Sequence, residues 1–257
     1  KSAEDTIRES TVVINGDILT DVDISKLINL HKEKSAEATI ALTPIENPSA
    51  YGLVETDDEQ KVLRFREKPK PEELENLTTK NINAGIYILE PTVLDLIPKG
   101  ENHSFEYNLF PNLLEKKKAF FAFIMKNEYW RDIGTAESYL NAHQDFINEK
   151  IKGFEIPDGE NSDIATAAFV SENSVVGDNC IIKPNAKIIN SILGEGVHVE
   201  EKAIIENSII WAHTHVANSA EISRAVIGRS CYIGQNASVG KGAVLGDKTS
   251  LTDYTKV

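Results

Sequence analysis

The sequence predicts a chain of two parts: an α/β sandwich over residues 1–151 and a parallel β-helix of hexapeptide repeats over residues 164–257. Three observations carry this. Short apolar runs alternate with amphipathic helical stretches in the first part. An aliphatic residue then recurs every six residues from Ile164 onward. Between the two lies Lys152–Asp163, rich in Gly, Pro and acidic residues, which reads as a linker.

In the first part, Thr11–Asn15, Ala38–Thr43, Ala84–Leu89 and Ala119–Met125 are apolar and β-branched enough to be strands. Asp23 is placed to cap a helix with Ile24, Leu27, Ile28 and His31 on one face. Glu90–Ile97, Phe105–Leu114 and Thr135–Ile151 read as further helices, the last capped by Thr135. Strands alternating with helices predict a mainly parallel sheet.

In the second part the aliphatic positions run Ile164, Val170, Val176, Ile182, Ile188, Leu193 and onward to Leu251. The steps are six residues except for three of five, at 188→193, 205→210 and 222→227. Small residues such as Ala168, Ser174, Cys180, Ala186 and Ala203 follow four positions behind. Three hexads close one triangular coil, with large aliphatics inside and small residues near the corners. A trimmed corner explains the seventeen-residue superperiod. The ends of such a coil expose open core and backbone, so the reading expects a cap or further coils beyond Val257.

The bulk properties narrow the function. A formal net charge of −13 disfavours nucleic acid as a partner. No apolar run approaches the ~20 residues of a membrane helix. Cys180 and Cys231 lie far apart with no metal-ligand spacing, which fits small core residues in a reducing cytoplasm.

Four segments carry chemistry. Val12–Asp17 is an apolar strand ending in Asn-Gly-Asp, which delivers the Asp17 carboxylate to a strand end where open sheets bind ligands; the bland alternative is a turn cap. Phe65–Pro69 sets Glu67 beside Lys68 ahead of a proline. A loop there turns Glu67 to sugar hydroxyls and Lys68 to a phosphate, and the alternative is a solvated charged edge. Asn83–Tyr87 offers an amide that donates and accepts, next to a glycine that lets backbone approach. Tyr129–Thr135 places Trp130 to pack on a sugar face and Asp132 just ahead of a helix. Each of the last two also reads as ordinary fold, a strand start and a helix cap.

Taken in order, the segments NGD at 15–17, YG at 51–52, EKP at 67–69, NAGIY at 83–87 and WRDIGT at 130–135, with the β-helix behind them, resemble the sugar-1-phosphate nucleotidyltransferases. The stretches VINGDIL, PSAYGLVE, NAGIYILEP and YWRDIGTAESYLNAH are most similar to the mannose-1-phosphate guanylyltransferase branch. The glucose-1-phosphate thymidylyl- and uridylyltransferases are the alternative. The fold class this implies is α/β: an incomplete Rossmann-like nucleotidyltransferase domain, then a left-handed parallel β-helix.

The resemblance also implies roles. Asp17 and Asp132 would hold Mg²⁺ on the nucleotide's α-phosphate. Gly52, Glu67 and Asn83 would bind the sugar ring, Trp130 would lie beside it, and Lys68 would meet the sugar phosphate. The partners implied are a nucleoside triphosphate, GTP first, and a sugar-1-phosphate, in a cytoplasmic homo-oligomer built through the β-helix. The family's Gly-rich, GTR-type nucleotide loop is absent from Lys1–Ser10, so roughly the first 90 residues of such an enzyme are expected to lie outside this sequence. The chain alone is then expected not to turn over. The stretch Phe105–Pro111 and Arg66 depart from the family in detail, which leaves fine specificity open.

Two rivals stand beside this. One is a non-catalytic regulatory or assembly subunit of the same fold, against which the retention of Asp17, Lys68 and Asp132 argues. The other is an acyltransferase using His213 or His215 in the repeats as a base; both are expected instead at the surface or a corner.

Overall fold

The computed structural model describes residues 6–69, 79–154, 156 and 159–257. Within the expected linker, Glu155, Pro157 and Asp158 lie outside the described residues, as do Lys1–Asp5 of the first part. The chain divides into two compact units, Lys1–Trp130 and Arg131–Val257.

The first unit is built on one mixed sheet. Its elements are β1 (Thr11–Ile14), β2 (Ile18–Thr20), helix α1 (Ile24–Glu33), β3 (Ala38–Pro44), β4 (Leu53–Thr56), β5 (Val62–Arg66) and β6 (Asn81–Leu89). A 3-10 turn (Pro91–Leu96), a π-type turn (Phe105–Leu109), helix α2 (Phe110–Glu115) and β7 (Phe120–Ile124) follow. Strand β8 (Trp130–Asp132) carries the chain into the second unit.

The sheet order is β5-β4-β6-β3-β7, with β1 also paired to β6. The expectation of a mainly parallel sheet is corrected here. β6 runs antiparallel to β1, β3 and β4, and β4 is antiparallel to β5; of the described neighbouring pairs in this sheet only β3 and β7 are parallel. The physical reason is an inserted strand. β1, β3, β4 and β7 do all point one way, as a crossover through α1 requires. β6 slides between β1 and β3 in the opposite sense, and sequence alternation cannot register that.

Both faces of the sheet are covered, which is why β3 and β6 read as nearly continuous apolar runs. On one face Leu27 of α1 packs with Ala41, Ala84, Ile86 and Ile88. On the other, Ile40, Leu42, Tyr87 and Leu89 meet Leu109, Phe110 and Leu113. Asp23 caps α1 as expected, its Oδ1 accepting from the amides of Ser25 and Lys26 at 2.9 and 3.3 Å. His31 is buried, its ring nitrogens 2.8 Å from Thr39 Oγ1 and 3.0 Å from Glu90 Oε1.

Two helical expectations change. Glu90–Ile97 forms a short 3-10 turn opened by Pro91 with no side-chain cap. Phe105–Leu114 splits into a π-type turn and α2, because Pro111 brings no amide to an unbroken ladder.

The second unit opens with α3 (Ala136–Ile147), capped by Thr135 Oγ1 on the amide of Ser138. It ends before the expected Ile151, at Asn148, with Glu149 at a left-handed φ of 56°. Leu140 and Tyr139 of α3 pack on Ile209, Trp211 and Val226 of the coils. This packing joins the helix to the repeat unit, although the linker follows it in sequence.

Behind α3 stands a parallel β-solenoid of three sheets, in which strands pair at intervals of 17 or 18 residues. Examples are Leu193↔Ile210, Ile188↔Ile205 and Val199↔Val216. Most aliphatics read from the hexad rule fill its interior: Ile182, Ile188, Leu193, Val199, Ile205, Ile210, Val216, Ile222, Ile227, Ile233 and Val239 are buried in one cluster, with Cys180 and Cys231, whereas Ile164, the first of the series, is exposed because no described coil covers it. Both cysteines are free.

Corners are closed by left-handed residues such as Asn190, Asn207 and Arg224. Beside them, serine hydroxyls accept from the coil above: Ser191 Oγ from Ser208 N at 3.1 Å, and Ser208 Oγ from Ala225 N at 3.1 Å. Ser208 is fully buried and also donates to Glu206 O at 2.7 Å. Ser208→Ala orphans a buried amide and is expected to destabilise the solenoid by about 1–3 kcal/mol, read by thermal denaturation. An unchanged midpoint would contradict this hydroxyl's role.

Candidate functional site

The first unit gathers its polar residues around a bulge in β6. The register between β3 and β6 shifts between Ile40 and Leu42, where Asn83-Ala84-Gly85-Ile86 stands opposite a shorter run. Gly85 adopts φ +73°, and a Cβ there would lie 2.9 Å from Asn15 Nδ2 and 3.0 Å from Ile18 Cγ1. Glycine is needed at this point for both reasons.

The bulge frees backbone groups that then hold three distant segments. Gly85 O accepts from Asn15 N at 2.8 Å, fixing the loop that carries Asp17. Ala84 O accepts from Trp130 Nε1 at 2.8 Å. Asn83 N donates to Gly52 O at 2.8 Å, binding the Tyr51-Gly52 turn to the strand. Tyr51 meets Trp130 edge to face at 5.6 Å, and Tyr51 O accepts from Lys68 N at 3.2 Å.

Gly52, Glu67, Asn83 and Trp130 are thus connected around one place. A Cβ on Gly52 would sit 2.7 Å from Glu67 Oε2 and 2.7 Å from Phe65 Cζ, so the Glu67 carboxylate lies directly over this glycine. The Asn83 amide is partly spent on the fold: its Oδ1 accepts from Gly85 N and its Nδ2 donates to Tyr87 Oη, each at 2.9 Å. One amide proton and one lone pair are left for a ligand.

Lys68 is exposed, at a left-handed φ of 45° that a residue before proline seldom adopts. Asp17 is exposed in the turn after β1. Asp132 belongs to the second unit. There its Oδ1 accepts from Gly134 N at 2.7 Å and its carbonyl accepts from the Ser138 hydroxyl, so strand exit and helix start are tied together. Arg131 beside it is anchored on the buried Asp145, its Nε 3.0 Å from Oδ2.

One contributor was not picked out in the sequence. Glu106, in the turn capped by Ser104, adds its charge to the field at Glu67. Its only sequence signal was a departure from the family pattern. Burial, then Glu106, push the Glu67 carboxyl up, and Lys68 partly offsets them. Burial raises the Tyr87 phenol too, with Asn83 and Asn15 bonding to it.

A carboxyl raised by folding contributes stability that is full below its unfolded pKa and is lost as pH rises through the folded value. At neutral pH the Glu67 charge therefore costs stability. Glu67→Gln is expected to raise the neutral melting temperature and flatten its fall between acid and neutral pH. For a ligand that presents hydroxyls to Glu67, the same change should weaken binding about 10- to 100-fold, the worth of a charged hydrogen bond. A variant that binds normally would remove Glu67 from the site.

Comparison with known proteins covers both parts of the chain. The family model described as Nucleotidyl transferase matches residues 1–149. A second, described as EIF2B subunit epsilon LbH domain, matches residues 156–257. The chain is 43% identical over 151 residues to a UTP–glucose-1-phosphate uridylyltransferase of Synechocystis sp., covering 58% of this chain and 38% of that protein. It is 35% identical over 139 residues to a mannose-1-phosphate guanylyltransferase of Mycobacterium tuberculosis, covering 54% and 37%. With a mannose-1-phosphate guanyltransferase of Pichia angusta it shares 34% over 178 residues, covering 68% and 44%. The chain spans less than half the length of these relatives.

Proposed function

The chain belongs to the nucleotidyl transferase family, and from that premise we propose that it supplies the sugar-phosphate side of an enzyme joining a nucleoside triphosphate to a sugar-1-phosphate. The products are a nucleotide sugar and pyrophosphate. GTP and mannose-1-phosphate are the proposed pair. The observation that carries this reading is the gathering of Gly52, Glu67, Asn83 and Trp130 about the Gly85 bulge, where aromatic face, carboxylate and amide suit a sugar ring.

In this reading Glu67 accepts from sugar hydroxyls, the spare amide proton of Asn83 donates to one, and Trp130 lines the ring. Lys68, exposed beside Glu67, meets the sugar phosphate as a point charge. Asp17 and Asp132 are hard oxygen donors of the kind Mg²⁺ takes, one or two carboxylates completed by phosphates, and are the proposed ligands. When bound there, such an ion would supply charge neutralisation for the reacting phosphates. A phosphate oxygen of the sugar is already anionic and attacks in line, so the protein's part is alignment and charge neutralisation, with no strong base.

We place the reaction in the cytoplasm, in a homo-oligomer assembled through the solenoid. Among the described residues no helix is long and apolar enough to cross a membrane.

Pyrophosphate release, assayed in the full-length protein across nucleotides and sugar phosphates with Mg²⁺, tests the reading. Preference for GTP with mannose-1-phosphate is expected. The Synechocystis relative favours a second reading, UTP with glucose-1-phosphate, and preference for that pair would replace the first. Magnesium-independent binding without turnover would instead indicate a regulatory or assembly subunit.

A further inference from the structure

A cluster on the solenoid lies apart from all of this chemistry. The strands His198–Val199 and His215–Val216 are parallel neighbours, with His198 directly opposite His215. Val199 and Val216 point into the core, so the two imidazoles point out. Their rings stack at 4.8 Å with an interplanar angle of 23°. Glu200 follows His198 by two positions and returns to the same outer face.

Both His198 Nε2 and His215 Nε2 lie 3.3 Å from one oxygen, Glu200 Oε1. The three ligand atoms all fall within 4.8 Å of one another. His198 Nε2 is buried and lacks a hydrogen-bond partner, because its approach to Glu200 is not aligned for one. An imidazole nitrogen with no hydrogen bond, 3.3 Å from a carboxylate oxygen that a second imidazole already bonds, is a donor set that a cation would complete.

We propose that His198, His215 and Glu200 form a binding site for a divalent transition-metal ion, with Zn²⁺ as its natural fit. Two of the three spacings already suit this: zinc–ligand bonds of about 2.0–2.1 Å in a tetrahedron set ligand atoms about 3.3 Å apart, the distance of each imidazole nitrogen from Glu200 Oε1. Two imidazoles and a carboxylate are a zinc donor set, with a fourth position left open to water. Imidazole nitrogen discriminates against Mg²⁺ and Ca²⁺, which prefer oxygen. Because the ligands come from adjacent coils, the ion is a clip across the stack. Tyr232 continues the ladder, its ring 5.4 Å from His215.

Calorimetric titration of the whole protein with Zn²⁺, in excess Mg²⁺, tests the site. One saturable Zn²⁺ per chain is expected, together with a raised melting temperature. His198→Gln and Glu200→Gln, which keep the surface polar, should each weaken binding by at least the about 10- to 100-fold seen for loss of a supporting partner. His213→Ala, at an exposed corner, should leave it intact. The proposal is overturned if the wild type binds no zinc saturably. It is equally overturned if folded His198→Gln, verified by circular dichroism, binds as the wild type does, or if His213→Ala weakens binding as much.

Discussion

Asp132→Asn is expected to slow pyrophosphate release on the order of 10³-fold, the scale of several kcal/mol that a correctly held metal ion supplies, while leaving thermal stability unchanged. The two effects separate because Asp132 has two duties. Its Oδ1 accepts from Gly134 N, and an asparagine oxygen does the same. The negative charge proposed to hold Mg²⁺ is lost. Asp17→Asn should behave alike, since Asp17 sits in an exposed turn. Asp132→Ala should lose rate and also some stability, because the turn before α3 then lacks its acceptor. Rates and magnesium titrations, measured beside melting curves in the full-length protein, distinguish these cases. Wild-type turnover with wild-type magnesium dependence in Asp132→Asn would end the metal assignment.

The second large effect is structural and reaches the site through packing. Phe110 is fully buried, with ring contacts to Phe65 at 5.1 Å, Tyr87 at 5.4 Å, Phe120 at 5.4 Å and Phe105 at 5.8 Å. Phe110→Ala is expected to cost about 3–5 kcal/mol. Phe65 is the ring that sits against Gly52, and Tyr87 is the phenol bonded to Asn83. Loosening both should weaken sugar-phosphate binding as well. Phe110→Leu, which keeps much of the volume, should recover most of each loss. Denaturant unfolding measures the first effect and ligand titration the second. A loss below about 1 kcal/mol would mean that the ring cluster repacks freely.

The site was legible in pieces. Asp17, Glu67, Lys68, Asn83, Trp130 and Asp132 each stood in a segment with a chemical reason to matter, Gly52 came in only through the resemblance, and the order of the segments gave the family. What the letters did not show was why Asn83-Ala84-Gly85 matters. It is a bulge whose carbonyls bind Asn15 and Trp130, and a bulge is a relation between two strands. Glu106 escaped notice for the same reason, because its effect on Glu67 arises across space.

The solenoid is the opposite case. Each coil touches only its neighbours, so the inward aliphatics repeat at a fixed interval and the interior could be listed before any coordinates. The sequence by itself therefore determined the repeat fold and the caps of α1 and α3, which depend on neighbours a few positions away or on a strict period. Tertiary structure alone decided the antiparallel place of β6 between β1 and β3, the packing of α3 on the coils, and the meeting of His198, His215 and Glu200. Those are contacts between segments far apart in the chain, chosen by burial and backbone pairing, and a linear pattern holds no record of which partner wins.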